Sequence, residues 1–183
     1  MRFRNTMSQY GVVSQFFHWL VFFLVFFMIG LGYFLDDIPK TYQFLAYTTH
    51  KLTGLSILAL MLLRVVWTLM NQRPELAADT PLWQRAASRW VHFLLYATVI
   101  LMPLAGWVGS VAANKAPQLG NVTLTLPIAP DKNLVSAAFQ MHGFFAVAIL
   151  VLVTIHVLAA LYHHYVKRDT ILRRMLPDIG RRQ

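Results

Sequence analysis

Four long apolar stretches alternate with polar, proline-containing connections along the chain. Asn5 to Leu35 contains no Asp, Glu, Lys or Arg, and the same holds for Trp90 to Asn114 and for Asn133 to Val166. The remaining stretch, Phe44 to Met70, carries only Lys51 and Arg64, one near each end. There a long cationic side chain can snorkel to the interface while its stem stays in hydrocarbon. Because about 20 helical residues cross a bilayer core, the pattern predicts transmembrane helices over roughly 12–35, 44–70, 88–110 and 137–165. The expected fold is all-α: an integral membrane four-helix bundle, one domain spanning residues 1–183.

The connections support this division. Asp36, Asp37 and Pro39 supply helix-stopping chemistry after the first helix, and Asn71 to Gln84 is polar with two prolines. Pro103 and Gly106 predict a kink in the third helix. The connection Ser110 to Lys132 is the longest, and its Val122–Leu126 alternation suits either a short strand or an interfacial segment. No internal repeat or low-complexity tract is present.

Composition agrees with a membrane protein: 57% of residues are hydrophobic and only seven are acidic, with a mean hydropathy of +0.53. The net charge of +9 would suit a nucleic-acid binder, but its distribution argues against one. All the arginines and Lys167 fall in the N-terminal lead-in, around the second connection or in the C-terminal tail. With four crossings these regions share one side, whereas Lys40, Lys51, Lys115 and Lys132 fall on the other, a division of 12 against 4. The positive-inside rule then places both termini in the cytoplasm. No cleavable signal is expected, since the first apolar run is too long and lacks a small-residue cleavage site. The absence of cysteine excludes disulfides, thiolate ligands and covalent c-type haem attachment.

The candidate chemistry lies in the histidines. His142 and His156 are fourteen residues apart on the fourth helix, about 21 Å along the axis and roughly 40° short of four full turns. Both rings therefore leave one face at two depths. His18 lies near the cytoplasmic end of the first helix, level with His156, and His50 near the outer end of the second, level with His142. Two pairs at two levels is the arrangement two bis-imidazole metal sites need, and iron in a porphyrin takes one axial ligand per face. His92 also lies at the cytoplasmic level and competes with His18 as partner of His156. For any single intramembrane histidine, a helix–helix hydrogen bond is as good an explanation as a metal ligand. Gly54, one turn after His50, leaves room for a bulky group to approach. Phe16-Phe17 and Phe22-Phe23 read as lipid-facing packing.

His18-Trp19-Leu20, His50-x-x-x-Gly54, His92-x-x-x-Tyr96 with Pro103 and Gly106, His142 and His156, taken together, resemble the bacterial cytochrome b-561 family. The tail resembles it too, through Ala159-Ala160-Leu161-Tyr162-His163-His164, Arg168-Asp169 and Leu172-Arg173-Arg174-Met175-Leu176-Pro177. The likeness covers essentially the whole chain. It implies a four-helix, multi-pass protein of the bacterial inner membrane with two non-covalent haem b groups, one ligated by His18 and His156 and the other by His50 and His142. It also implies electron exchange with ubiquinone, and one branch of the family takes the electron from superoxide. On that reading His92, His163, His164 and Arg168 are candidate quinone or haem-propionate contacts. Lys51, Lys115 and Lys132 are candidates for steering a small anion, opposed in part by Asp36, Asp37 and Asp131. Other readings are a carrier from quinol to a periplasmic redox partner, the membrane anchor of a larger dehydrogenase and, from another class, a proton or metal transporter.

Overall fold

The computed structural model describes residues 2–74 and 80–176. Arg181 and Arg182 of the basic tail, Pro177 of the resembling motif and residues 75–79 of the second connection lie outside the described residues. Four helices dominate: α1 (Val12–Tyr33), α2 (Lys40–Leu69), α3 (Leu82–Ala112) and α4 (Lys132–Tyr165), followed by a 3-10 turn at Leu172–Met175. Each of the four is long and apolar enough to cross a membrane.

Three helices start before the apolar stretches that predicted them, α2 four residues early, α3 six and α4 five. The physical reason is capping, which acts on backbone groups and not on hydropathy. Pro39 and Pro81 occupy the N-cap positions of α2 and α3, where their extended backbone turns the chain in and their carbonyls accept from Tyr42 N at 2.8 Å and Gln84 N at 3.0 Å. Asp131 caps α4, its carboxylate accepting from Asn133 N at 2.7 Å and Leu134 N at 3.0 Å. Asp131→Ala should lower stability by about 1 kcal/mol, read as a fall in the thermal midpoint of the detergent-solubilised protein.

Packing follows chain order: α1 lies on α2, α2 on α3 and α3 most extensively on α4, whereas α1 and α4 scarcely touch. Gly109 lets α4 approach α3 closely, since a Cβ there would meet the Ala138 Cβ and Phe139 Cζ at 3.2 Å. The core is a layer of Val21, Val25, Met28, Ile57, Met61, Val99, Met102 and Ile149 at mid-depth. Phe16, Phe23 and Phe26 are exposed on the outside of α1, as a lipid-facing surface requires.

The long connection resolves into a hairpin. Strand β1 (Gln118–Leu119) pairs antiparallel with β2 (Val122–Thr123), closed by a two-residue turn in which Gly120 adopts φ +59°. Trp107 Nε1 donates to Leu124 O at 2.9 Å and fastens the connection to α3.

At the end carrying both termini, the lead-in folds back under the bundle. Gly11 is buried there, and a Cβ on it would lie 2.3 Å from Phe3 O. Gln15 Nε2 donates to the carbonyls of Arg174 and Leu176, and Trp19 Nε1 to that of Met175 at 2.8 Å. The first and last described segments are thereby held together.

Candidate functional site

The structure brings the five bundle-facing histidines into two groups on either side of the apolar core layer. At the end opposite the termini, His50 of α2 faces His142 of α4, with ring centroids 6.0 Å apart and planes at 63°. At the terminal end, His18 of α1 faces His156 of α4 at 6.1 Å and 59°. Both pairs join helices that are not neighbours in the chain and otherwise meet chiefly through the core layer.

This spacing suits a shared metal. An imidazole nitrogen sits about 2 Å from a first-row metal and roughly 1 Å from its own ring centre, so two rings on opposite sides of one ion have centres about 6 Å apart. Rings so placed could supply the two imidazole ligands that a haem iron takes. His92 is also brought in, but its centroid lies only 5.2 Å from that of His156, at 82°, a direct edge contact with too little room for an ion in line.

The hydrogen bonds of the outer nitrogens decide what the inner ones can do. His142 Nδ1 donates to Met102 O at 2.8 Å, which fixes the tautomer and leaves Nε2 free as a ligand. Gly106 makes that contact sterically possible, because a Cβ there would lie 2.9 Å from His142 Nδ1. Pro103, inside α3, also removes the N–H that the Val99 carbonyl would otherwise accept. The kink motif Pro103–Gly106 is thus the cradle of the His142 ring.

His50 is cradled by Gly32 of α1, where a Cβ would stand 3.1 Å from His50 Cε1. Its Nδ1 is buried with no hydrogen-bond partner. A polar nitrogen left in that state is costly. Gly54, expected to make room beside His50, has only ordinary contacts: a Cβ there would meet Pro103 Cβ at 3.9 Å and Met28 Cε at 4.0 Å. The close approaches are at Gly32 and Gly106.

His92 Nδ1 donates to Ser88 O one turn back, at 2.6 Å, so the Nε2 of the neutral ring is an acceptor. His163 Nδ1 meets Asp169 Oδ2 at 2.5 Å, and the other carboxylate oxygen of Asp169 accepts from Ile171 N. That histidine therefore also pins the turn leading out of α4. His164 Nδ1 is buried and unpartnered, whereas Arg168 is exposed with φ 54°. Among the lysines, Lys51 Nζ donates to Lys115 O at 2.8 Å, while Lys115 and Lys132 are exposed. A cavity of 350 Å³ lined by Asn114, Lys115, Thr123 and Thr125 lies beside them.

Two features were not legible as site residues. Arg64 does not snorkel to the interface: its Nη2 lies 3.2 Å from His18 Nδ1 and its guanidinium sits over the Tyr96 ring, 5.1 Å from the centroid. The signal was present, since a charge inside an apolar span is a functional candidate by default. Gly32 had no comparable signal, glycine being common in membrane helices.

The family model described as prokaryotic cytochrome b561 matches residues 9–178. Among curated proteins, Cytochrome b561 homolog 2 of Escherichia coli is 29% identical over 180 residues, covering 96% of this chain and 95% of that protein. Cytochrome b561 homolog 1 of the same organism is 25% identical over 174 residues, covering 93% and 98%. Probable superoxide oxidase CybB of Yersinia pestis is 26% identical over 172 residues, covering 93% and 97%.

Proposed function

Since the chain belongs to the prokaryotic cytochrome b561 family, and so is a bacterial membrane electron-transfer protein of the haem b type, we propose that it binds two haem b groups and passes electrons from superoxide to ubiquinone. The observation that carries the proposal is the pair of facing imidazole couples, at 6.1 and 6.0 Å, one on each side of the apolar core layer. Haem bound at each couple would supply a one-electron iron centre for electron exchange.

The chain's own groups do the rest. His18 with His156, and His50 with His142, would hold the two irons. The His142 hydrogen bond to Met102 O sets that ring's tautomer and raises its basicity. Val21, Met28, Met61, Met102 and Ile149 keep the layer between the sites dry.

The positive-inside count supports termini in the cytoplasm and hence an inner-membrane protein with the His50–His142 site near the periplasmic face. Lys51, Lys115 and Lys132 gather at that face, and their field attracts a small anion. The name of the Yersinia pestis relative supports superoxide as that anion. Two superoxide anions each lose one electron and become O2; the two electrons, with two protons from the terminal side, convert one ubiquinone to ubiquinol. His92, His164 and Arg168 stand at the end where the quinone would be reduced.

A reduced-minus-oxidised visible spectrum with a haem-to-protein ratio is the direct test: two low-spin b haems per chain are expected, and a colourless protein overturns the proposal. Lys51→Glu should slow superoxide-driven haem reduction, most strongly at low ionic strength where screening is weakest. A salt dependence identical to that of the unmodified protein would rule out steering.

A further inference from the structure

Arg64 is a half-buried cation inside an apolar span, and its two partners are both neutral: His18 Nδ1 at 3.2 Å and the face of Tyr96. No carboxylate among the described residues reaches it. Asp36, Asp37 and Asp131 lie at the opposite end of the bundle, and Asp169 is engaged by His163. A guanidinium at this depth without a counter-ion is costly.

The His18 contact cannot persist alongside iron ligation. Arginine carries only donors. A neutral His18 that binds a metal through Nε2 has its proton on Nδ1, and would then face Arg64 donor to donor. The guanidinium must take another acceptor when the site fills, and Tyr96 and Tyr10 beside it offer only neutral hydroxyls. Tyr10, half-buried beneath the site, lies within electrostatic reach of both Arg64 and Arg73. A region this rich in guanidinium groups calls for an incoming anion.

Resting on the two-haem reading above, we propose that Arg64 is the counter-ion of a haem propionate, clamping the carboxylate edge of the macrocycle held by His18 and His156. Planar fork-to-carboxylate pairing is the geometry guanidinium favours. Tyr96 backs the guanidinium by stacking, its own hydroxyl lying 3.3 Å from Thr68 Oγ1. Arg64 is thus a positioning residue: it orients the macrocycle about the His18–His156 axis.

The test compares the full-length protein with Arg64→Gln and Arg64→Lys, each loaded either with natural haem or with its dimethyl ester, whose carboxylates cannot ionise. The readout is the rate at which each haem transfers to an excess of apomyoglobin, with the His50–His142 haem as internal control. Arg64→Gln should release natural haem from the His18–His156 site at least about tenfold faster than the unmodified protein, the order expected for losing a supporting contact. Arg64→Lys should recover part of that loss, and with the ester all three proteins should release at one rate. An Arg64→Gln effect that is absent, or of equal size with natural and esterified haem, overturns the proposal. If Arg64→Gln does not accumulate folded, the unmodified protein alone decides: the ester must leave the His18–His156 site faster than natural haem while release from the other site changes less, and equal acceleration at both sites overturns the clamp. Unmodified protein that binds no haem at all overturns the two-haem reading and this inference with it.

Discussion

Replacing His156 by Ala should cut the haem content from two per chain to one and reduce superoxide-driven ubiquinone reduction to the uncatalysed background. His156 is the ligand shared by every alternative at the terminal end, since both His18 and His92 face it. Without it neither His18 nor His92 has the α4 ring that each of them faces. The substitution also separates the two candidate partners by comparison. His18→Ala should give the same one-haem spectrum, whereas His92→Ala should keep two low-spin haems. The reverse result, a haem lost with His92 and retained without His18, would show that the 5.2 Å contact opens on loading and that the ligand assignment is wrong at this level. Haem quantitation and the low-spin signature of the purified variants read all three cases.

Gly106→Ala should selectively loosen the haem at the opposite end. The added Cβ would stand 2.9 Å from His142 Nδ1 and 3.0 Å from its Cε1, distances at which something must move. The ring cannot yield freely, because its Nδ1 is tied to Met102 O and its Nε2 is committed to iron on the proposed reading. Forcing a group into such packing costs about 1–3 kcal/mol, roughly a tenfold to hundredfold loss of haem affinity at that site. Gly106→Val should abolish binding there. The second haem, about 21 Å away along α4, should be unaffected in spectrum and retention. Gly30→Ala is the control: nothing lies within 4 Å of a Cβ at that position, and alanine favours the helix. Equal haem retention in Gly106→Ala and Gly30→Ala would remove the cradle from the account.

The sequence by itself determined the four spans, the two levels and the residues at each level. Lipid satisfies no backbone group, so an apolar run of the required length must be helical. The constant rise of a helix then converts the spacing of His142 and His156 directly into depth. The Pro103–Gly106 motif and the placement of His18 and His50 were legible for the same reason. Helix ends were less so, because Pro39, Pro81 and Asp131 act on exposed backbone groups that hydropathy does not register.

Only the tertiary structure decided how each helix is rotated about its axis, since rotation is set by packing against neighbours. That rotation leaves His18 at metal-sharing distance from His156 while pressing His92 edge-on against it. It turns Arg64 inward to His18 and not out to the interface, and brings Gly32 of α1 against the His50 ring of α2. It also commits His163 to Asp169 in the turn beyond α4. Each of these is a relation between residues on different elements, or across a turn, and no periodicity within a single helix contains it.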